Sequence, residues 1–387
     1  MDGDQACCEA GGQQERWTHE EEEPSPHDEL IMTEIRRRWS RRFVRGVMAY
    51  LPGVIFALVL AEMALRIMGL GDPAQARGHR EEEQRLFGDL SNGAYEPGSR
   101  LVYTYPGNPR GYFDANNQVV GSINQYGYRG PARAPYERPV GPRLAVLGDS
   151  FTLGYGLRDE DTFPAQLEKF LRVRHPETEV LNFGVAAFGT RTEVDYLQGY
   201  VLKFHPDVVL LCLFLNDAGR KGTRGFLSPG GGRWWPARRY SYLLNLTLTQ
   251  VRRYRVGREL IHHYRRGYEP DSEAWQEVQA ELLRARDLCR ENDCRLILLV
   301  YPVLYRLDDY PFRQVHLNIG SFAAYADIPF IDLLPAFKGA TASHLWNHAT
   351  DQHPNRQAQR RVGEWLAEQL EPWMTARSGG SAHDPVP

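Results

Sequence analysis

From Arg143 onward, five short apolar runs alternate with longer stretches of helical spacing. The runs are LAVLGDS (144–150), EVLNFGV (179–185), DVVLLCLFLND (207–217), RLILLVYPV (295–303) and PFIDLLPAF (329–337). The helix-like stretches fall at about 162–174, 190–203, 272–292 and 311–325, with a last amphipathic one at about 355–374. Strands that are apolar along nearly their whole length need cover on both faces, and strands joined through helices run parallel. The pattern predicts an α/β domain over 143–374 with a mostly parallel five-stranded sheet between helices. Open parallel sheets place their functional groups at the carboxyl ends of the strands.

Polar and small residues stand at three of those ends. The first strand ends in Gly148-Asp149-Ser150, the second in Asn182-Phe183-Gly184 and the third in Asn216-Asp217. Turn residues are expected there on stability grounds alone, but stability does not favour Ser, Gly and Asn in particular. A serine becomes a nucleophile when a base takes its proton, and the usual base is a histidine oriented by a carboxylate. Asp351-Gln352-His353-Pro354-Asn355, just before the last helix, supplies such a pair. Backbone amides at Ser150 and Gly184 and the side-chain amide of Asn216 are the candidate donors to an oxyanion. Asp149 reads as a cap of the turn or the following helix, and Asp217 as a structural acceptor. His348 is the rival base. Asn124 and Arg129 are candidates for bracing the site or for the surface.

GDSFTLGYG, NFG, LND and DQHPN, in that order, resemble the sequence blocks of the SGNH/GDSL hydrolases over about residues 143–370. NQYGYRGP (124–131) resembles a lead-in common in membrane-anchored members. The resemblance implies a three-layer α/β/α sandwich, flavodoxin-like, with Ser150 as nucleophile, His353 as base and Asp351 as its partner. It implies Ser150, Gly184 and Asn216 as the oxyanion hole, and no metal or organic cofactor. Three departures stand out: Phe214 where the family usually has Gly, D-x-H in place of D-x-x-H, and Ala358-Gln359 where some members carry Gly-His. Family members hydrolyse esters of lipids or glycans or transfer acyl groups, and these activities share the same residues. The expected substrate is an acylated glycan or lipid. A non-catalytic glycan-binding or scaffold module is the reading from a different class.

The front of the chain is of another kind. Residues 1–42 form a polar leader, expected to be disordered, and six arginines between Arg36 and Arg45 straddle its junction with the apolar stretch. Residues 46–61 carry no charge, and the apolar stretch extends to Leu70 once Glu62 and Arg66, spaced for pairing on one helix face, are accommodated. The expectation is a transmembrane anchor at 43–70, with a cleaved signal peptide as the competing reading. The arginines set the amino terminus in the cytoplasm by the positive-inside rule, so the rest of the chain faces the periplasm or exterior from the inner membrane. Residues 71–142 read as linker and lead-in, and 375–387 as a disordered tail.

Charge is close to balanced, 46 Lys and Arg against 49 Asp and Glu, which gives no argument for nucleic acid. It is locally uneven: residues 218–270 hold twelve Lys and Arg against Glu259 and Glu269. Within that insertion Tyr240, Leu243, Leu244, Thr247, Val251 and Tyr254 have amphipathic helical spacing. The helix suits anionic headgroups, a cap over the site, an acidic glycan, or simply a solvated basic face. His262-His263 belongs to that basic face, and Trp234-Trp235 to packing or to a sugar. Of five cysteines, Cys7 and Cys8 lie in the leader and Cys212 in a core run. Cys289 and Cys294 are either a disulfide or two free thiols.

Overall fold

The computed structural model describes residues 48–68, 80–82, 93–137, 139–219, 240–349 and 351–374. The leader, its arginines, Cys7, Cys8, Trp234-Trp235 and the carboxyl-terminal tail lie outside them. The chain falls into two compact units, residues 1–64 and 65–387. Most of helix α1 (Met48–Met68) belongs to the first. Its 21 residues are long and apolar enough to cross a membrane, about 30 Å at a helical rise of about 1.5 Å each.

The second unit holds the predicted sheet. Strands β4 (Arg143–Gly148), β5 (Glu179–Gly184), β6 (Val208–Phe214), β7 (Arg295–Tyr301) and β8 (Phe330–Asp332) lie in the order β5-β4-β6-β7-β8, all parallel. Every residue of β4 and β6 is buried, which is what a sheet covered on both faces demands. Helix α3 (Phe163–Leu171) packs against the final helix α8 (Arg356–Met374), α4 (Thr190–Gly199) packs against α6 (Glu273–Glu291), and α7 (Arg313–Tyr325) connects β7 to β8. The three-layer α/β/α arrangement follows. The chain leaves β4 for β5 on one side and returns to β6 on the other, so the carboxyl end of β4 is the switch point of the sheet.

Part of the segment expected as linker and lead-in is folded. Strands β2 (Arg100–Thr104) and β3 (Gln118–Ser122) form an antiparallel sheet with the short β1 (Arg80–Glu82). Leu101, Tyr103 and Tyr105 alternate along β2 and its end and are all buried. In the basic insertion, α5 (Tyr242–Gly267) starts at Ser241, whose side chain accepts from the Leu244 amide at 3.0 Å. Its last turns are packed, not free: Tyr264 and Tyr268 are buried against Phe312 and Trp275, and Arg265 donates to the Pro311 carbonyl. Cys212, Cys289 and Cys294 are buried free thiols, and a contact from Cys294 together with burial holds the Cys289 thiol protonated.

Candidate active site

The turn after β4 requires glycine. Gly148 has φ +156°, and a Cβ there would lie 2.2 Å from Thr152 Oγ1 and 3.1 Å from the Cys212 carbonyl. Asp149 caps the short helix α2 (Ser150–Leu153) by accepting from the Phe151 amide at 2.8 Å. Ser150 is therefore the first helical residue, where an amide has no carbonyl one turn behind it.

The base arrives from the other end of the chain. Strands β9 (Trp346–His348) and β10 (Asp351–Pro354) form a small antiparallel hairpin. Residues i and i+2 of a strand share a face, so the D-x-H spacing brings Asp351 and His353 together as well as a longer spacing would in a turn. His353 Nδ1 lies 2.5 Å from Asp351 Oδ1, and Nε2 lies 2.9 Å from Ser150 Oγ. With Nδ1 carrying the proton toward the carboxylate, Nε2 is left to accept the serine proton, a tautomer assigned from these partners. The imidazole is stacked on Tyr155 at 4.2 Å and met edge-on by Phe151 at 5.5 Å. His348 is not at this position: it is buried in β9, with its ring 5.8 Å from that of Tyr105.

Tyr105 is a site residue that the motifs do not contain. Its hydroxyl donates to Asp351 Oδ2 at 2.6 Å, and Asn347 Nδ2 lies 3.4 Å from the same oxygen. Burial first, and the Asp351 charge second, hold the Tyr105 hydroxyl protonated well above its ordinary range, so it stays a donor. The only sequence signal for it is the alternation of β2, which marks a buried face and says nothing of chemistry.

The proposed oxyanion donors fare unequally. Asn216 follows β6 and is half-buried, its Nδ2 3.4 Å from Asp149 Oδ2. The Gly184 amide donates to Asn182 Oδ1 at 3.0 Å, a bond within its own strand end. What the glycine provides is closeness, since a Cβ there would lie 2.2 Å from the Leu153 amide nitrogen of α2. The turn beyond it offers a different amide. Val185, Ala186 and Phe188 donate to Gly148 O, Tyr95 Oη and Val185 O. Ala187, exposed and at φ +64°, has no such bond among the described residues. A non-glycine residue held left-handed beside a serine turn is the kind of strain that functional sites retain.

Bracing comes from the lead-in. Arg129 is 1% exposed; it pairs with Asp159 at 2.8 Å and donates to the Leu153 and Gly154 carbonyls, each at 2.8 Å. Asn124 instead orders its own turn, bonded to Gly130 O and the Tyr126 amide. Asp217 accepts from Thr190 Oγ1 at 2.9 Å, a structural role. The departures from the family pattern are absorbed: Phe214 packs its ring 4.2 Å from Phe151, and buried Gln359 bonds the Phe163 amide and the Phe151 carbonyl.

Among solved structures, the chain is similar to a putative lipolytic protein of the G-D-S-L family from Desulfitobacterium hafniense, at 16% identity and a TM-score of 0.39 over 59% of this chain and 99% of that one. A catalytic mutant of an acetylxylan esterase from Geobacillus stearothermophilus gives 16% identity and 0.40 over 62% of this chain and all of that one. No curated protein matches the chain. The model of the GDSL-like lipase/acylhydrolase family matches residues 146–361, from within β4 through the serine turn and the histidine hairpin into α8, and the chain belongs to that family.

Proposed function

We propose that the chain is a membrane-anchored serine esterase acting on acyl esters of cell-envelope glycans or lipids. The observation that carries this reading is the continuous contact from Ser150 Oγ through His353 to Asp351, at 2.9 and 2.5 Å. Ser150 attacks the acyl carbon while His353 Nε2 takes its proton, and Asp351 holds the imidazole and offsets its charge. The oxyanion that forms is met by the Ser150 amide, the Asn216 side chain and, in place of Gly184, the open amide of Ala187. Collapse breaks the ester bond, His353 returns the proton to the leaving alcohol, and the acyl group stays on Ser150 until water releases it as the acid.

The arginines before α1 support an amino terminus in the cytoplasm and a catalytic domain in the periplasm or outside. A fluorophosphonate probe on the full chain tests the chemistry. Labelling is expected in wild type and lost in both Ser150→Ala and His353→Ala; labelling that persists in Ser150→Ala refutes the mechanism. Ester turnover should fall by roughly a thousandfold or more in either variant. Cell fractionation tests the anchor, which recovery of the chain in the soluble periplasm would exclude.

A further inference from the structure

A cleft of about 330 Å³ lies against the hairpin that carries Asp351 and His353. Arg110, His344, Asn347, Asn355, Arg356 and Gln357 line it, with Tyr112 at its wall. Among the described residues no carboxylate lines it and none pairs with either arginine. Arg110 gives its guanidinium to the Ser343 and Trp346 carbonyls, which uses two of its five N–H groups. Arg356 lies 5.4 Å from the centre of the Tyr112 ring, a cation–π contact that fixes its position. Burial lowers the Arg110 pKa, the mark of a cation losing water without gaining a counter-charge. Asn347 is 5% exposed, and its Oδ1 has no hydrogen-bond partner among the described residues. A buried acceptor left open calls for a donor such as a hydroxyl.

Two unneutralised guanidiniums suit an oxyanion, and the open Oδ1 of Asn347 and the exposed Gln357 carboxamide suit the hydroxyls of a sugar, while Asn355 is spent on the His344 and Trp346 carbonyls and the Gln357 and Ala358 amides. Asn347 also ties the cleft to the triad, since its Nδ2 lies 3.4 Å from Asp351 Oδ2 and donates to the Tyr155 carbonyl at 2.7 Å. We propose that this cleft is a subsite for the carboxylate or phosphate of an acidic glycan whose ester the Ser150 site cleaves. The inference rests on the glycan form of the proposed function and makes the substrate class narrower: an acylated polyanion.

The test is binding without turnover, by calorimetry on the full chain in detergent. The probes are a galacturonic acid trisaccharide, the neutral galactose trisaccharide and inorganic phosphate. The acidic trisaccharide or phosphate should bind, the neutral sugar should bind at least about tenfold more weakly, and Arg356→Gln should weaken the anion about tenfold. Arg356 is exposed, so its replacement leaves the core in place. Whichever anion binds more tightly identifies the charged group. Equal affinity for the neutral sugar, no anion binding, or unchanged affinity in Arg356→Gln overturns the proposal. An esterase that fails these tests remains an esterase, and a chain that binds the anion but never labels at Ser150 fails the other reading alone.

Discussion

Asp351 is a carboxylate with 2% of its surface exposed, and such a group is tolerable as an anion only when donors surround it. It accepts from the His353 amide, the His353 ring and Tyr105. Tyr105→Phe keeps the ring, stacked 4.3 Å from Phe113, and removes only the donor. The positive end of the hydroxyl dipole then no longer offsets the carboxylate, so the potential at His353 becomes more negative and its pKa rises. The acid limb of the pH–rate profile should move upward by roughly half a unit, and kcat should fall about tenfold with KM little changed. Tyr112→Phe loses a hydroxyl bond of the same length, 2.6 Å to Asp161, and should leave that limb in place. Identical profiles for wild type and Tyr105→Phe would reduce Tyr105 to packing.

At the scale of elements, the serine turn works because two backbones touch. Gly184 at the end of β5 lies beside Gly148 at the end of β4, and α2 rests on both. Gly184→Ala sets a methyl 2.2 Å from the Leu153 amide nitrogen, which only a shift of α2 can relieve. A loss of about 1–3 kcal/mol of stability is expected, read as a lower denaturation midpoint, together with a drop in fluorophosphonate labelling as Ser150 moves from His353. Full labelling in a folded Gly184→Ala would contradict the close fit. These elements also divide what the sequence discloses from what it withholds. Apolar runs of uniform burial spell out β4 and β6, and the blocks around Ser150 and His353 name residues that the fold brings within 2.9 Å. Gly184 was legible as a special glycine, but backbone packing and amide donation leave the same letter in a sequence. Only the fold separates them: the Gly184 amide is bonded to Asn182, and the amide without such a bond is that of Ala187, which no composition rule marks. Tyr105 was invisible for a related reason: a strand's buried face looks the same whether it meets a core or a catalytic carboxylate.

For the molecule as a whole, the unit of function is larger than the matched family segment, because the lead-in reaches into it at three places. Tyr95 takes the Ala186 amide, Tyr105 meets Asp351, and Arg129 holds the carbonyls of Leu153 and Gly154 at the end of α2. Lead-in and sheet should therefore unfold together, and alkali offers a way to see it. Burial, as the first cause in each case, raises the hydroxyls of Tyr105 and Tyr128 in the lead-in and of Tyr196, Tyr268 and Tyr301 in the main domain. Tyr200, also buried, is pushed up to about 12 by the same cause. The unfolded chain ionises its tyrosines near pH 10 and the folded chain does not. Above about pH 10 the folded state thus holds more protons, and stability falls as pH rises; below about pH 10 this contribution is present in full. Tyrosinate absorbance should appear in one steep transition that coincides with loss of far-UV circular dichroism. Two separated steps, or a smooth titration of the buried tyrosines in a folded chain, would mean that the lead-in opens on its own and that the triad can lose Tyr105 without the sheet unfolding.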